Sequence, residues 1–412
     1  MKIAFHPKLL DCLPTYNRAQ FGKDLASGIT VGVLALPLAM AFAIASGCSP
    51  AAGIWTAIVA GFITSACGGS RVQIGGPTGA FIPIIYGIVA MHGFANLMGA
   101  TMLAGIFLLA MGIARMGQLI RFIPVTVVIG FTNGIAVVIF LAQLKDFFGL
   151  QIDNLPAEFF ARIKTLAAYA HTVDLPTLAL ATACFVLLLS YNRLAQRFAL
   201  LRRAPGPLVV LIVGTLAAFV FDLPVETIGS RFNGIPQELP NFGFPSVSVH
   251  DFGKLISPAI TIALLGAIES LLSARVADSQ IDDRHDPNQE LIAQGLSNIA
   301  APLFGGFAAT GAIARTTTNV KTGGRTPIAG IIHAVVLLSI VLIAAPLASY
   351  VPLATLSAIV MVVAVNMGEW HEFRELRRYS NNYRIILLVT FFVTVVFDLT
   401  IAVELGMVLA SL

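Results

Sequence analysis

The chain is laid out as long apolar runs separated by short polar breaks. Fourteen such segments can be drawn, at 24–45, 50–67, 78–92, 97–114, 124–144, 176–192, 206–221, 254–276, 289–304, 310–322, 327–349, 352–366, 384–397 and 399–412. A helix that crosses the hydrocarbon core of a bilayer needs about 20 apolar residues. Several segments fall short of that, notably 78–92, 310–322 and the last three. The pattern predicts an all-α polytopic membrane protein. Two polar stretches are long. The first, from Lys145 to Leu175, contains "DNLPAEFFARIKTLAAYAH" and predicts a short amphipathic helix on the membrane surface. The second, 222–252, is rich in Pro, Gly and Asn and predicts an irregular loop. It divides the chain into two halves of seven segments.

Seven spans followed by seven imply inverted repeats, because an odd-numbered unit flips its successor. The third segment of each half is broken. "IGGPTGAFIP" (74–83) and "GGFAATGAIART" (305–316) share the tripeptide Thr-Gly-Ala, as Thr78, Gly79, Ala80 and as Thr310, Gly311, Ala312. Each tripeptide is expected to open a half-helix, with "VQI" (72–74) and "GFAA" (306–309) extended before it. Short, Gly/Pro-interrupted segments at matching places in two halves point to a transporter binding site. A helix start has unpaired N–H groups and a partial positive charge, so two facing starts make an anion site. Small residues let a ligand approach the backbone. A single such break reads as a kink or a tight helix contact; a matched pair favours the site.

Composition strengthens the membrane reading. Of 412 residues 57% are hydrophobic and 11% charged, under half of the roughly 25% charged residues of a soluble domain. The net charge of +4 comes with no Lys/Arg cluster interleaved with aromatics, so no nucleic-acid partner is expected. With the N-terminus inside, only Lys145, Arg162, Lys164, Arg231 and Lys254 fall on outer loops, and the other Lys and Arg fall inside. The positive-inside rule then puts both termini in the cytoplasm. The first twenty residues are polar and carry Pro7 and Pro14, so no cleavable leader is expected. Cys12, Cys48, Cys67 and Cys184 show no metal or disulfide spacing. The run 369–384, "EWHEFRELRRYSNNYR", reads as a basic inner loop near lipid headgroups.

Ionisable residues inside spans are costly and mark function. Glu269, mid-segment in "ALLGAIESLLSARVADS", is the candidate coupling residue. It would carry a proton, or hold Na⁺ with Ser270 and Ser273. The alternative is an intramembrane salt bridge to Arg315. Arg315, read as one and a half turns into the tenth helix, would add positive charge near an anion or snorkel to the cytoplasm. His333, Glu404, Asn298 and Asn319 are read as structural, the two Asn as hydrogen-bonding between helices. An intramembrane enzyme is disfavoured. "HEFRE" has His371 and Glu372 but Glu375 where a zinc protease needs its second His, in what reads as a loop, and no Gly-x-Ser-x-Gly occurs. A channel-like anion conductance stays open as an alternative.

Three stretches resemble the sulfate permease (SulP) family of anion transporters. They are "LPLAMAFAIASGCSPAAGIW" (36–55), "QIGGPTGAF" (73–81) and "DPNQELIAQGLSNIAAPLFGGFAATGAIARTTTNVKTGGRTPIAG" (286–330). The resemblance implies fourteen spans in two inverted repeats of seven. It implies a core domain of spans 1–4 (within 1–145) and 8–11 (254–349), moving like an elevator against a gate domain of spans 5–7 (124–221) and 12–14 (352–412). It also implies a bacterial inner-membrane homodimer, a small anion as substrate, a co-transported ion rather than a cofactor, and Phe42 as a pocket-lining aromatic. Members continue into a cytoplasmic STAS domain, whereas this sequence stops at Leu412 within an apolar segment, which implies a shortened chain or a member without it. Leu38 stands where the family often has Gln, and Ala314 where it often has Ser. Both changes make the pocket more apolar and tilt the substrate from sulfate toward a carboxylate or dicarboxylate, with bicarbonate also in range. The polar tail after the eighth span is similar to the branch that includes bicarbonate carriers, which leaves Na⁺-coupled bicarbonate symport as an alternative. The related nucleobase transporters resemble the chain around "GLSN" and "LFGG", and Arg315 argues for an anion instead.

Overall fold

A computed structural model of the chain describes residues 5–118, 124–197, 204–240, 242–246 and 252–397. The last expected segment, 399–412, and Glu404 within it lie outside the described residues. Every other expected segment is helical over most of its length. After a short α1 (Lys8–Cys12) come α2 (Arg18–Ala45), α3 (Pro50–Cys67), α4 (Ile82–Ile113), α5 (Val125–Phe148), α6 (Phe159–Ala168), α7 (Leu175–Arg197), α8 (Gly206–Val220) and α9 (Ile228–Phe232). The second half holds α10 (Phe252–Ile281), α11 (Pro287–Leu303), α12 (Ile313–Lys321), α13 (Ile328–Ala348), α14 (Leu353–Met367), α15 (Trp370–Glu375) and α16 (Asn381–Val396). Of these, α2, α3, α4, α5, α10 and α13 are each long and apolar enough to cross a membrane.

Local chemistry sets many of the helix ends. Asn17 caps α2 by accepting from the Gln20 N–H, Ser49 caps α3 by accepting from Ala52, and Asp286 caps α11 by accepting from Asn288 and Gln289. Pro50 and Pro287 occupy first-turn positions, where the missing N–H costs nothing. Gly149 ends α5 in the left-handed conformation, φ 63°. The expected segments 78–92 and 97–114 form one element, α4, broken at Gly93 (φ 79°, ψ 169°). Two loops carry more structure than their composition suggests. Thr227 and Ser230 close a reciprocal capping box on α9 within 222–252, and α15 forms within 369–384. The amphipathic helix expected between 145 and 175 is α6.

The helices pack in two groups. α4 lies against α10 and α11, and α13 lies against α2 and α3. Separately, α5 lies against α14 and α16, and α14 against α7. The α4–α11 contact is backbone on backbone. A Cβ on Gly105 would sit 2.7 Å from the Gly295 carbonyl, and one on Gly295 would sit 2.8 Å from the Gly105 carbonyl. Close approach through small residues is how helices gain packing energy where lipid supplies no hydrophobic drive.

At the centre two non-helical segments cross. Gly75–Gly76 (β1) pairs antiparallel with Thr310–Gly311 (β2), in register Gly75 with Gly311 and Gly76 with Thr310. The extended backbone therefore reaches further along the chain than "VQI" and "GFAA". Away from water such backbone needs partners for every polar group. The described residues supply them. The Ala312 N–H donates to the Ile74 carbonyl at 2.9 Å, and the Ile74 N–H donates to Thr316 Oγ1 at 3.0 Å. Asn319 Nδ2 donates to the Val72 carbonyl at 2.8 Å. Asn298 pairs with Ala309 as a strand would, donating to its carbonyl and accepting from its N–H, both at 2.9 Å. The Phe307 N–H donates to Thr56 Oγ1 at 2.8 Å. Asn298 thus ties a helix to extended backbone, and Asn319 does both: its Nδ2 holds the Val72 carbonyl and its Oδ1 accepts from Ser27 of α2 at 2.6 Å, helix to helix as expected.

Asn298→Leu keeps the volume and strands both Ala309 groups. Each unpaired buried group costs about 1–3 kcal/mol. Thermal unfolding in detergent is expected to show a clear fall in melting temperature, whereas Ser339→Ala, on the exposed side of α13, leaves it unchanged.

Candidate functional site

The crossing brings the two broken segments together, but their helices begin at different places. On the first, Thr78 is extended (φ −128°, ψ 156°) and Gly79–Phe81 make a 3₁₀ turn into α4. On the second, Thr310 and Gly311 are in β2, Ala312 is the cap, and α12 starts at Ile313. Thr310 therefore does not open a helix. Its hydroxyl donates to the Gly266 carbonyl of α10 at 3.0 Å. The asymmetry follows from Pro77, which has no N–H to extend the ladder and holds two further residues out of the helix. No side chain caps either start. Their first N–H groups are left for solvent or a ligand, unlike those of α2, α3 and α11.

Arg315 lies in the first turn of α12, not one and a half turns in. It is 2% exposed, so it does not snorkel. Its Nη2 donates to the Pro77 carbonyl of the opposite segment. Its Nη1 and the Thr78 hydroxyl are both buried with no partner among the described residues. Gly76 (φ 142°) makes room for the guanidinium: a Cβ there would lie 2.6 Å from Nη1. A full positive charge and an unpaired hydroxyl thus sit beside two uncapped helix starts.

Gly79 and Gly311 have different surroundings. A Cβ on Gly79 would meet Ile139, Met367 and Phe42 at 3.7–3.8 Å, ordinary contact distances. Phe42 of α2 thus lies beside the first helix start, together with side chains of α5 and α14. A Cβ on Gly311 would fall 2.1 Å from Gln73 Nε2. Ala80 lines a cavity of about 580 Å³ bounded by α4, α5, α10 and α16, with Arg162, Lys254 and His92 further along its wall. A second cavity, of about 430 Å³, lies between Ile268, Leu271 and Leu272 of α10 and Val125 and Val128 of α5.

Glu269 is buried in α10, 9% exposed, and makes no hydrogen bond or ion pair among the described residues. The bridge to Arg315 is not formed. The neighbouring backbone is bound to the crossing through Thr310 on Gly266 and Gln73 Nε2 on the Ser270 carbonyl at 3.0 Å. The Ser270 hydroxyl donates to the Ala267 carbonyl and that of Ser273 to Thr316 Oγ1, at 3.2 and 3.3 Å. Neither reaches Glu269. His333 is fully buried, as read, and both its ring nitrogens lack partners among the described residues.

The sequence reading missed Gln73 and Glu290. Glu290 accepts from Gln73 Nε2 at 2.9 Å, from Gln294 Nε2 at 3.0 Å and from the Gly69 N–H at 3.0 Å. This buried carboxylate fixes the loop that delivers β1. In "DPNQEL" it looked like an ordinary acidic residue in a capped first turn. Its position inside an apolar segment was the available signal.

Gly311→Ala must push the Gln73 amide off Ser270 and Glu290, while Gly79→Ala meets only ordinary contacts. The first is expected to lower the melting temperature sharply in a fluorescence or calorimetric scan. The second is expected to remain monodisperse with a melting temperature near that of the parent.

Comparison with known proteins agrees with this architecture. The sulfate permease family model matches residues 21–390. The "Putative sulfate transporter YvdB" of Bacillus subtilis (strain 168) is 45% identical over 396 residues, covering 96% of this chain and 74% of the relative. The bicarbonate transporter BicA of Picosynechococcus sp. is 32% identical over 406 residues, covering 94% of this chain and 69% of the relative. The solved transmembrane domain of a cyanobacterial BicA superimposes with a TM-score of 0.85 at 30% identity, covering 96% of this chain and 98% of that one. The motifs, the crossed half-helices and these matches converge: the chain belongs to the sulfate permease family and is a multi-pass membrane protein of an anion-transporter family.

Proposed function

We propose that this protein is a secondary active transporter that moves a small anion with a proton through an elevator-type, alternating-access movement. The crossing carries the reading. Two uncapped helix starts, the unpaired Thr78 hydroxyl and the unpaired Nη1 of Arg315 converge beside Phe42. Helix starts and a guanidinium recognise negative charge, and no metal-ligand cluster occurs among the described residues. The substrate is bound by Phe42, Thr78, Gly79, Ala80, Thr310, Gly311, Ala312 and Arg315. Within this set Thr310 and Gly311 shape the backbone. The other residues face the ligand.

The packing supports the division into core and gate. Helices α2, α3, α4 and α10–α13 form the core, carrying the crossing. Helices α5, α7, α8, α14 and α16 form the gate, and the two cavities open along the seam. As in the sequence reading, the protein is an inner-membrane homodimer with both termini in the cytoplasm. Relatives bear the names of sulfate and bicarbonate transporters. Leu38 and Ala314 favour a carboxylate or dicarboxylate here. Glu269 is the coupling residue. Its carboxyl makes no hydrogen bond or ion pair among the described residues, and a proton needs no co-ligands whereas Na⁺ needs several oxygens, which favours a proton.

Uptake of labelled sulfate, bicarbonate, succinate and fumarate into proteoliposomes, with imposed proton or Na⁺ gradients, tests the assignment. Saturable accumulation driven by one gradient is expected; a non-saturable, gradient-independent flux would mark a conductance. Arg315→Ala is expected to weaken affinity for a dianion more than for a monoanion. Coulomb energy scales with ligand charge, so the dianion loses about twice as much at equal distance and screening. Equal losses would deny Arg315 a direct electrostatic role.

Glu269→Gln mimics the protonated carboxyl. Each negative charge entering against a negative-inside potential costs about 2.3 kcal/mol per 100 mV, and a proton offsets one such charge. The variant is therefore expected to exchange anion in counterflow while losing accumulation driven by an inward proton gradient. Both are measured on the same liposomes. Retained pH-driven accumulation would remove Glu269 from the coupling step. A parent protein that answers only to Na⁺ would replace the proton with Na⁺.

A further inference from the structure

Of the buried groups near the crossing that lack a partner among the described residues, one is a whole imidazole ring. His333, on α13, is fully buried and neither ring nitrogen has a partner among the described residues. It borders the same two-residue strand that Arg315 touches. A Cβ built on Gly61 would lie 3.0 Å from His333 Cε1, 3.2 Å from Nδ1 and 3.3 Å from the Gly75 carbonyl. A Cβ built on Gly76 would lie 2.6 Å from Arg315 Nη1. The imidazole and the guanidinium therefore flank adjacent residues of β1.

A neutral imidazole has one donor and one acceptor nitrogen. Whichever ring nitrogen carries the hydrogen, the other is presented as an acceptor. Arg315 Nη1 is a buried donor without a partner in that neighbourhood. Buried polar groups left unpaired are expensive, and one water can join two of them. Gly61 matters to this arrangement because any side chain there would fill the space against the ring.

We propose that His333 is the positioning residue for Arg315. As a neutral acceptor it takes the Nη1 hydrogen through one buried water, and so holds the other guanidinium edge on Pro77 and the charge toward the bound anion. The inference rests on the anion site proposed above. It adds that this cation is aimed from behind by a group that never touches the substrate. A Phe side chain has similar bulk and no acceptor. A Gln side chain is smaller and keeps one.

The test compares His333→Phe and His333→Gln in proteoliposomes, using whichever labelled anion of sulfate, bicarbonate or succinate the parent accumulates. The Phe variant is expected to raise KM about tenfold, the size of one lost hydrogen bond to a charged group, with kcat little changed. The Gln variant is expected to restore most of that affinity. Adding His333→Phe to Arg315→Ala is expected to change KM little further, because the group it positions is gone. A parent-like KM in the Phe variant overturns the proposal, as does an equal loss in Phe and Gln, which would mark a packing role. If Arg315→Ala itself leaves KM unchanged, the anion-site reading fails and this inference with it. Should the Phe variant not fold, ¹⁵N spectra of histidine-labelled protein decide. The His333 signal, assigned by its loss in His333→Gln, is expected to report a neutral ring and to shift in Arg315→Ala. An unmoved signal overturns the proposal.

Discussion

The structure depends on one constraint: a backbone group away from water must find a partner inside the protein. An unbroken helix meets it automatically, and a broken one does not. The two breaks meet it by crossing. Gly75–Gly76 and Thr310–Gly311 pair with each other, and the groups just outside the ladder are taken by Asn298, Asn319, Thr316 and Thr56. Much of the polar content of the central helices answers this need. Glu290 belongs to the same accounting, since it holds Gln73 and the Gly69 N–H in place. Once these demands are met, the buried atoms near the crossing still without a partner among the described residues are Gln73 Oε1, Gln294 Oε1, Thr78 Oγ1, Arg315 Nη1 and both nitrogens of His333.

The architecture was legible because membranes restrict the choices. Apolar runs, their parity and the distribution of Lys and Arg led to the spans, and the repeated Thr-Gly-Ala tripeptide led to the crossing. The residue-level geometry was less legible, for physical reasons. The two tripeptides are identical, yet the first opens a turn while Thr310 and Gly311 of the second are strand, and Pro77 precedes the first where Ala309 precedes the second. Gly79 and Gly311 look equivalent, yet one borders Phe42 and the other is pinned by Gln73. Contacts such as Gln73 with Glu290 span most of the chain length, and no local pattern encodes them. Reading Arg315 one turn too deep followed from starting the helix at Thr310.

The polar groups at the crossing also explain how it could stay rigid under the proposed elevator movement. The crossing is tied to α2, α3, α10 and α11 by hydrogen bonds, whereas its contact with α5 and α14 is apolar: Ile139 and Met367 beside Gly79. Apolar surfaces slide without stranding polar groups, and hydrogen-bonded ones do not. If one body moves against another, the seam that yields is the one running past Gly79, and the ligand-facing atoms travel with the hydrogen-bonded side.

In the proposed function, charge at the site sets the direction of coupling. Arg315 is positive and Glu269, when ionised, is negative. They are not paired with each other, so each is free to act on a third charge. Under the proposed function an incoming anion is attracted by the first and repelled by the second. Neutralising Glu269, by a proton or by a bound cation, removes the repulsion. Linkage is reciprocal, so a bound anion must favour the neutralised carboxyl by the same factor. Under that proposal the two ligands load together and leave together. A carrier that crosses the membrane readily only when both are bound or both absent is a symporter. On this reading the missing Glu269–Arg315 salt bridge is functional: a closed ion pair would cancel both fields and leave the anion with nothing to sense.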